Sequence, residues 1–262
     1  MTPASAALPG VAPQAIAVLL HALRLLPTAL LCPFLGGPLV PPAIRIALAV
    51  SLGACGWLAA GATPVDASPP GLLLAGFREL CVGTALGVVA AMPFEAARSG
   101  GRLVDTLRGA TLAELHVAPI RQRESATGDL LVQWAVVLAA TAGGDRLVVT
   151  ALLETFRAVP IGAAIRVAPL LDAALRSTAE LLACALAVGA PAAAGVLAAD
   201  LVLAFASRPA PSLQLVAAAQ PARAAAGLLA VAVAAAAIAG RLTAAVALSA
   251  SLVRGAARGA LP

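Results

Sequence analysis

Apolar positions in this chain do not mark one stripe of each helix; they run on unbroken, interrupted only by knots of proline, glycine and charge. Six windows result, near residues 14–31, 43–62, 72–97, 129–157, 173–206 and 213–253. Each meets or approaches the roughly 20 apolar residues that a membrane-spanning helix needs. The last is long enough for one bent helix or two. Pro33, Gly36, Gly37, Pro38, Pro41 and Pro42 crowd the first connection, Pro64, Pro69 and Pro70 the second, and Pro209 and Pro211 the fifth. Missing N–H donors and permissive backbone break helices there, which predicts three helical hairpins. The first window holds Arg24 and has no basic flank before it, so it does not read as a cleavable signal peptide and is expected to stay on.

The third connection, about residues 99–128, is long and polar, with Arg102, Asp105, Arg108, Glu114, Arg121, Arg123 and Glu124. Glu95, Arg98, Arg102, Asp105 and Arg108 follow at steps of three and four, so they share one helical face as alternating partners. Long connections in compact architectures are functional or disordered, and a solvated face is the other reading of this charge run.

Composition gives the windows their meaning. Apolar side chains make up 61% of 262 residues and charged ones 11%, against about 25% charged in a typical soluble domain. So little ionic surface cannot keep a body of this size in water, and a multi-helix membrane bundle follows, with disorder and a disulfide scaffold excluded. The net charge is +5, carried by 17 scattered arginines with few aromatic neighbours, which argues against nucleic-acid binding. Cys32, Cys55, Cys81 and Cys184 stand singly in apolar stretches, without metal-ligand spacing. Arginine bias between alternate connections does not fix an orientation, as expected where some helices pack into a larger protein assembly rather than span lipid.

An ionised side chain at mid-bilayer costs about 2.5–3.5 kcal/mol, so charges inside the windows ask for partners. Arg24, Arg78, Glu79 and Asp200 are such charges. Arg78 and Glu79 are adjacent and point in different directions, and each is expected to look outward; pairing within the chain's own bundle, or a place near a membrane edge, is the other reading of all these charges. Asp200 has no basic residue at helical-neighbour spacing, so its partner comes from another helix or another chain. Gly83 and Gly87 form a GxxxG step, and the alanine-rich run 222–239 likewise favours close helix approach. Metal, Walker and nucleophile-elbow motifs are lacking, and neither His21, His116 nor Ser99, Ser125 and Ser249 has a neighbouring activating group in sequence, so no enzyme, cofactor or metal is expected.

Five blocks in unbroken order resemble the SctT family of type III secretion export-apparatus proteins, which is similar to flagellar FliR. The first is Pro33, Leu35, Gly36, Gly37, Val40, Pro41, Ile44, Arg45, Leu48 and Ala49. The second runs from Arg78 and Glu79 through Gly83, Gly87, Phe94, Ala96 and Gly101. The third is Asp105, Arg108 and Gly109, with Leu107 where the family has Gln. The fourth comprises Gly128, Leu130, Gly143, Gly144, Phe156, Pro160, Ile161 and Gly162. The fifth is Ala199, Asp200, Leu201, Arg208, Ala210, Pro211 and Leu213, with Ser212 in place of Gln, and Pro221 follows.

The resemblance implies an all-α membrane protein with an SctR-like part over residues 1–172 joined to an SctS-like hairpin over 173–262. It implies a non-enzymatic subunit of the export gate in the bacterial inner membrane, assembled with SctR-like and SctS-like subunits and an SctU-like one, through which unfolded proteins are secreted. The connection after the third helix resembles a plug in the closed pore, with Leu112, Leu115, His116, Val117 and Ile120 as sealing side chains and Gly109 and Gly128 as hinges; a plain surface connection is the other reading. Arg45, Arg78, Glu79, Asp105, Arg108, Asp200 and Arg208 are then packing or intersubunit charges, and Gly83, Gly87, Gly101, Gly143 and Gly144 packing or hinge glycines. An injectisome is favoured over a flagellar system. A secondary transporter for a small solute, built on Asp200 and the Arg78–Glu79 pair, is the competing reading; inverted repeats would favour it, and none is evident between residues 1–130 and 131–262.

Overall fold

The computed structural model describes residues 13–35, 40–61, 68–109, 125–206 and 215–261. Every regular element among them is helical: α1 Pro13–Leu31, a 3-10 turn Pro33–Leu35, α2 Pro42–Ala60, α3 Pro69–Leu107, α4 Ala126–Thr141, α5 Gly144–Ala158, α6 Val167–Ala206, α7 Leu215–Val233 and α8 Ala235–Gly259. Helices α1, α2, α3, α6 and α8 are long and apolar enough to cross a membrane, and the pair α4–α5 adds a sixth span if it is counted as one.

The boundaries have local causes. Pro42 opens α2, where its missing N–H is no loss, and Gly61 closes it with its N–H on the Trp57 carbonyl at 2.9 Å. Ser125 caps α4 by accepting the Gly128 N–H at 2.9 Å. The window 129–157 is not one straight helix: it breaks between Thr141 and Gly144, where Gly143 adopts a left-handed conformation at φ +73°. The window 213–253 contains two helices parted at Ala234, although the bonds Ala234 N–H to Ala230 and Ile238 N–H to Ala234, each 3.0 Å, carry the helical ladder across.

Helix α3 continues ten residues beyond its apolar window, so the charged face through Asp105 is helical and the connection starts only after Leu107. Its 39 residues, and the 40 of α6, reach about 58–60 Å, twice the roughly 30 Å of a hydrocarbon core.

The chain folds as two compact units that interleave along the sequence. The first comprises residues 1–92, 143–178 and 246–262. In it, α1 lies in the close grip of two neighbours: a Cβ on Gly53 of α2 would come 2.7 Å from the Ala22 nitrogen, and one on Gly83 of α3 would strike the Arg24 carbonyl oxygen. Gly87 likewise faces the Thr28 backbone. The GxxxG step is the surface on which α3 meets α1.

The second unit comprises residues 93–142 and 179–245. Gly101 of α3 abuts the Gly128 backbone of α4, and Gly189 of α6 receives the Leu103 side chain. In the same unit α6 runs antiparallel to α7 and α8: Asp200 meets Arg223, Gly195 meets Ala226 and Glu180 meets Arg241.

Candidate functional site

In the first unit, charge is concentrated around Arg24, which is 1% exposed. Its Nε donates to Glu79 Oε2 at 2.6 Å, and Nη1 donates to the carbonyls of Thr155 at 3.2 Å and Val159 at 2.8 Å. The guanidinium lies 4.9 Å from the Phe156 ring centroid, and His21 packs on the same ring. Glu79, also buried, accepts the Gly162 N–H at 3.1 Å on its other oxygen. One ion pair therefore fastens α1 to α3, and its arginine adds a donor at the end of α5, to the Val159 carbonyl and to the Thr155 carbonyl, which also accepts the Val159 N–H at 2.8 Å.

This corrects the expectation that Glu79 looks outward. Glu79, Gly83 and Gly87 are four residues apart, so they form a single stripe of α3, and that stripe faces α1. Its neighbour Arg78 lies about 100° around the helix, half-buried and without a partner among the described residues. Arg45 donates from Nε to the Val40 carbonyl at 2.8 Å, beside the N-terminus of α2.

In the second unit, Asp105 collects five donor contacts. Its Oδ1 accepts from Arg108 Nε at 2.9 Å, Arg108 Nη2 at 2.7 Å and Thr127 Oγ1 at 2.5 Å. Its Oδ2 accepts from the Thr127 N–H at 3.2 Å and from the Ser125 hydroxyl. An anion at the N-terminus of α4 is favoured by the N–H groups and dipole it faces. Asp105 and Arg108, at the end of α3, are thereby tied to Ser125 and Thr127, the residues that start α4. Ser125 is not without a polar neighbour, as its sequence surroundings suggested; its hydroxyl donates to Asp105 and accepts from Gly128, so both of its roles are structural.

Asp200 finds its cation within the chain: Arg223 Nε approaches Oδ1 to 2.5 Å across the α6–α7 pair, with both side chains about a third exposed. Of the two origins open for its partner, another helix is the one observed. Gly109 takes φ +77° and lies against Gln220, Gly128 sits against the Arg98 carbonyl, and Gly144 is buried beside the Gly143 bend. The sealing residues Leu112, Leu115, His116, Val117 and Ile120, together with Arg208, lie outside the described residues. No group of three or more His, Cys, Asp or Glu side chains among the described residues could hold a metal ion.

A family model for bacterial export proteins, family 1, matches residues 15–248. The chain belongs to this family. As an export protein of family 1, it is 34% identical over 84 residues to the secretion system apparatus protein SsaT of Salmonella typhimurium, a stretch covering 32% of each chain. It is 30% identical over 156 residues to the Yop proteins translocation protein T of Yersinia pestis, covering 59% of each, and equally to that of Yersinia pseudotuberculosis. The matches thus span about a third and about three-fifths of these relatives. The resemblance read from the five blocks is borne out at the level of the family.

Two participants in the Asp105 network of this export protein have no sequence signal that joins them to it. Thr127 and Ser125 lie about 20 residues from Asp105, too far for any helical spacing to pair them. Arg24 was recognised as a charge needing a partner, and the four-residue spacing of Glu79, Gly83 and Gly87 was the available sign that Glu79 would supply it.

Proposed function

We propose that this chain is a non-enzymatic subunit of the inner-membrane export gate of a bacterial type III secretion system, helping to form and seal the pore through which unfolded proteins leave the cell. The observation that carries this reading is the family match across residues 15–248, supported by relatives named for secretion and translocation. Its helices fit the role: several are apolar enough to span a membrane, and two are far longer than one bilayer core, as suits a tilted assembly that rises out of the lipid.

In this reading residues 1–172 act as an SctR-like part and 173–262 as an SctS-like hairpin, and both join SctR-like, SctS-like and SctU-like subunits. The antiparallel pairing of α6 with α7 and α8 supports a hairpin of that kind. Residues 112–124 seal the closed pore, with Leu112, Leu115, Val117 and Ile120 excluding water from a narrow passage. The Asp105 network holds the two helix ends from which that segment departs. Deleting residues 112–120 is expected to raise ion leakage through the assembled complex while the subunit still incorporates. Leakage equal to that of the parent complex would refute the seal.

A further inference from the structure

A cavity of about 330 Å³ opens within the first unit between the last turn of α5 and the end of α8. Its charged lining is Arg157, Arg254, Arg258 and Glu154, with Thr155 and two alanines completing the wall. Arg254 is held by Glu154 at 2.9 Å, so that pair is nearly neutral. Among the described residues Arg157 uses only its Nε, on the Ala59 carbonyl at 3.3 Å, and Arg258 has no partner. Two exposed guanidiniums therefore face one cavity with their terminal nitrogens unspent.

The C-terminal ends of two helices would ordinarily repel an anion here. On α5 that negative end is offset, because the Thr155 and Val159 carbonyls are already taken by the buried Arg24. Beyond α8, the Ala260 carbonyl accepts the Arg166 N–H at 2.7 Å. The cavity is thus net positive, and planar guanidiniums match tetrahedral phosphate oxygens well.

An apolar surface begins at the same place. From Arg166, joined to Ala260, α6 starts with Val167, Leu171 and Leu175, all exposed and four residues apart on one face. A site for free phosphate has no use for such a stripe, whereas a lipid needs both surfaces. We infer that the cavity binds the phosphate of an anionic phospholipid headgroup, with Arg157 and Arg258 as its donors and the acyl chains along Val167, Leu171 and Leu175. Such a site is of the basic, helix-end kind that recognises headgroups. The inference rests on the chain being a membrane protein, as proposed above.

The test is native mass spectrometry of the full chain, extracted from membranes in gentle detergent and titrated with phosphatidylglycerol, phosphatidylcholine or inorganic phosphate. Phosphatidylglycerol should be retained over phosphatidylcholine by roughly tenfold, in keeping with the attraction of two arginines. The R157Q/R258Q variant should lose the preference, the R157K/R258K variant should keep most of it, and high salt should weaken it in the unaltered chain, a readout that does not depend on any variant folding. Equal retention of the two lipids, a preference untouched by R157Q/R258Q, or displacement of the lipid by an equal concentration of inorganic phosphate would each overturn the inference. Recovery of the chain in the soluble fraction would instead refute the membrane reading itself.

Discussion

Arg24→Ala is expected to destabilise the detergent-purified chain by about 3–5 kcal/mol, because it strands the Glu79 carboxylate in the interior. The substitution also removes a donor from the end of α5: the Val159 carbonyl loses Nη1, and the Thr155 carbonyl is left with the Val159 N–H alone. Removing both charges should be far milder. An Arg24→Met/Glu79→Met chain buries no unpaired charge, and replacing a buried pair with apolar side chains is often close to neutral. Arg24→Lys should remain damaging, since a single ammonium does not reproduce the planar fork that reaches Glu79, two carbonyls and the Phe156 face. Equilibrium unfolding in denaturing detergent measures all three. A single Arg24→Ala variant as stable as the parent, or a double variant less stable than the single, would refute the role given to the pair.

Asp105→Ala is expected to cost about 3 kcal/mol, concentrated at the start of α4. The Thr127 N–H and the hydroxyls of Ser125 and Thr127 lose a shared acceptor in a buried setting, and Arg108 loses its counter-charge. Because the loss is local, amide exchange in the first turn of α4 should rise roughly a hundredfold while that of α1 around His21 to Leu25 stays unchanged. Asp105→Asn keeps one acceptor oxygen, enough for the Ser125 hydroxyl and the Thr127 N–H but not for the Thr127 hydroxyl as well, and should fall between the parent and the alanine variant. An unchanged exchange rate at Thr127 and Gly128 in the alanine variant would show that Asp105 does not hold the helix ends on either side of residues 110–124.

Much of the helical architecture was legible because a run of apolar residues ended by proline or glycine leaves the backbone few alternatives. One boundary was not. Between Thr141 and Gly144 the composition stays mostly apolar on both sides, so a window reads straight through a break that the left-handed Gly143 imposes. Beyond residue 97 polarity rises, but the three- and four-residue steps from Glu95 to Arg108 mark a helical face, and α3 indeed continues to Leu107.

The same division runs through the candidate site. Glu79 could be placed from its four-residue register with Gly83 and Gly87, a local pattern that names the face against α1. The pairing of Asp105 with Thr127 and of Asp200 with Arg223 depends on which helices become neighbours, and no spacing within one helix encodes that. Asp200 announces only a need: a carboxylate without a nearby cation requires one from elsewhere, and Arg223 of α7 is that cation.

The function proposed here makes the chain one member of an assembly around a conduit, with little purpose alone. The most direct test is to purify the tagged chain from membranes of its own bacterium in gentle detergent and identify what remains bound by mass spectrometry. Stoichiometric recovery of small, apolar SctR-like and SctS-like polypeptides is the predicted result. A chain that comes through alone, stably folded, and drives uptake of a small solute when reconstituted into liposomes would contradict it.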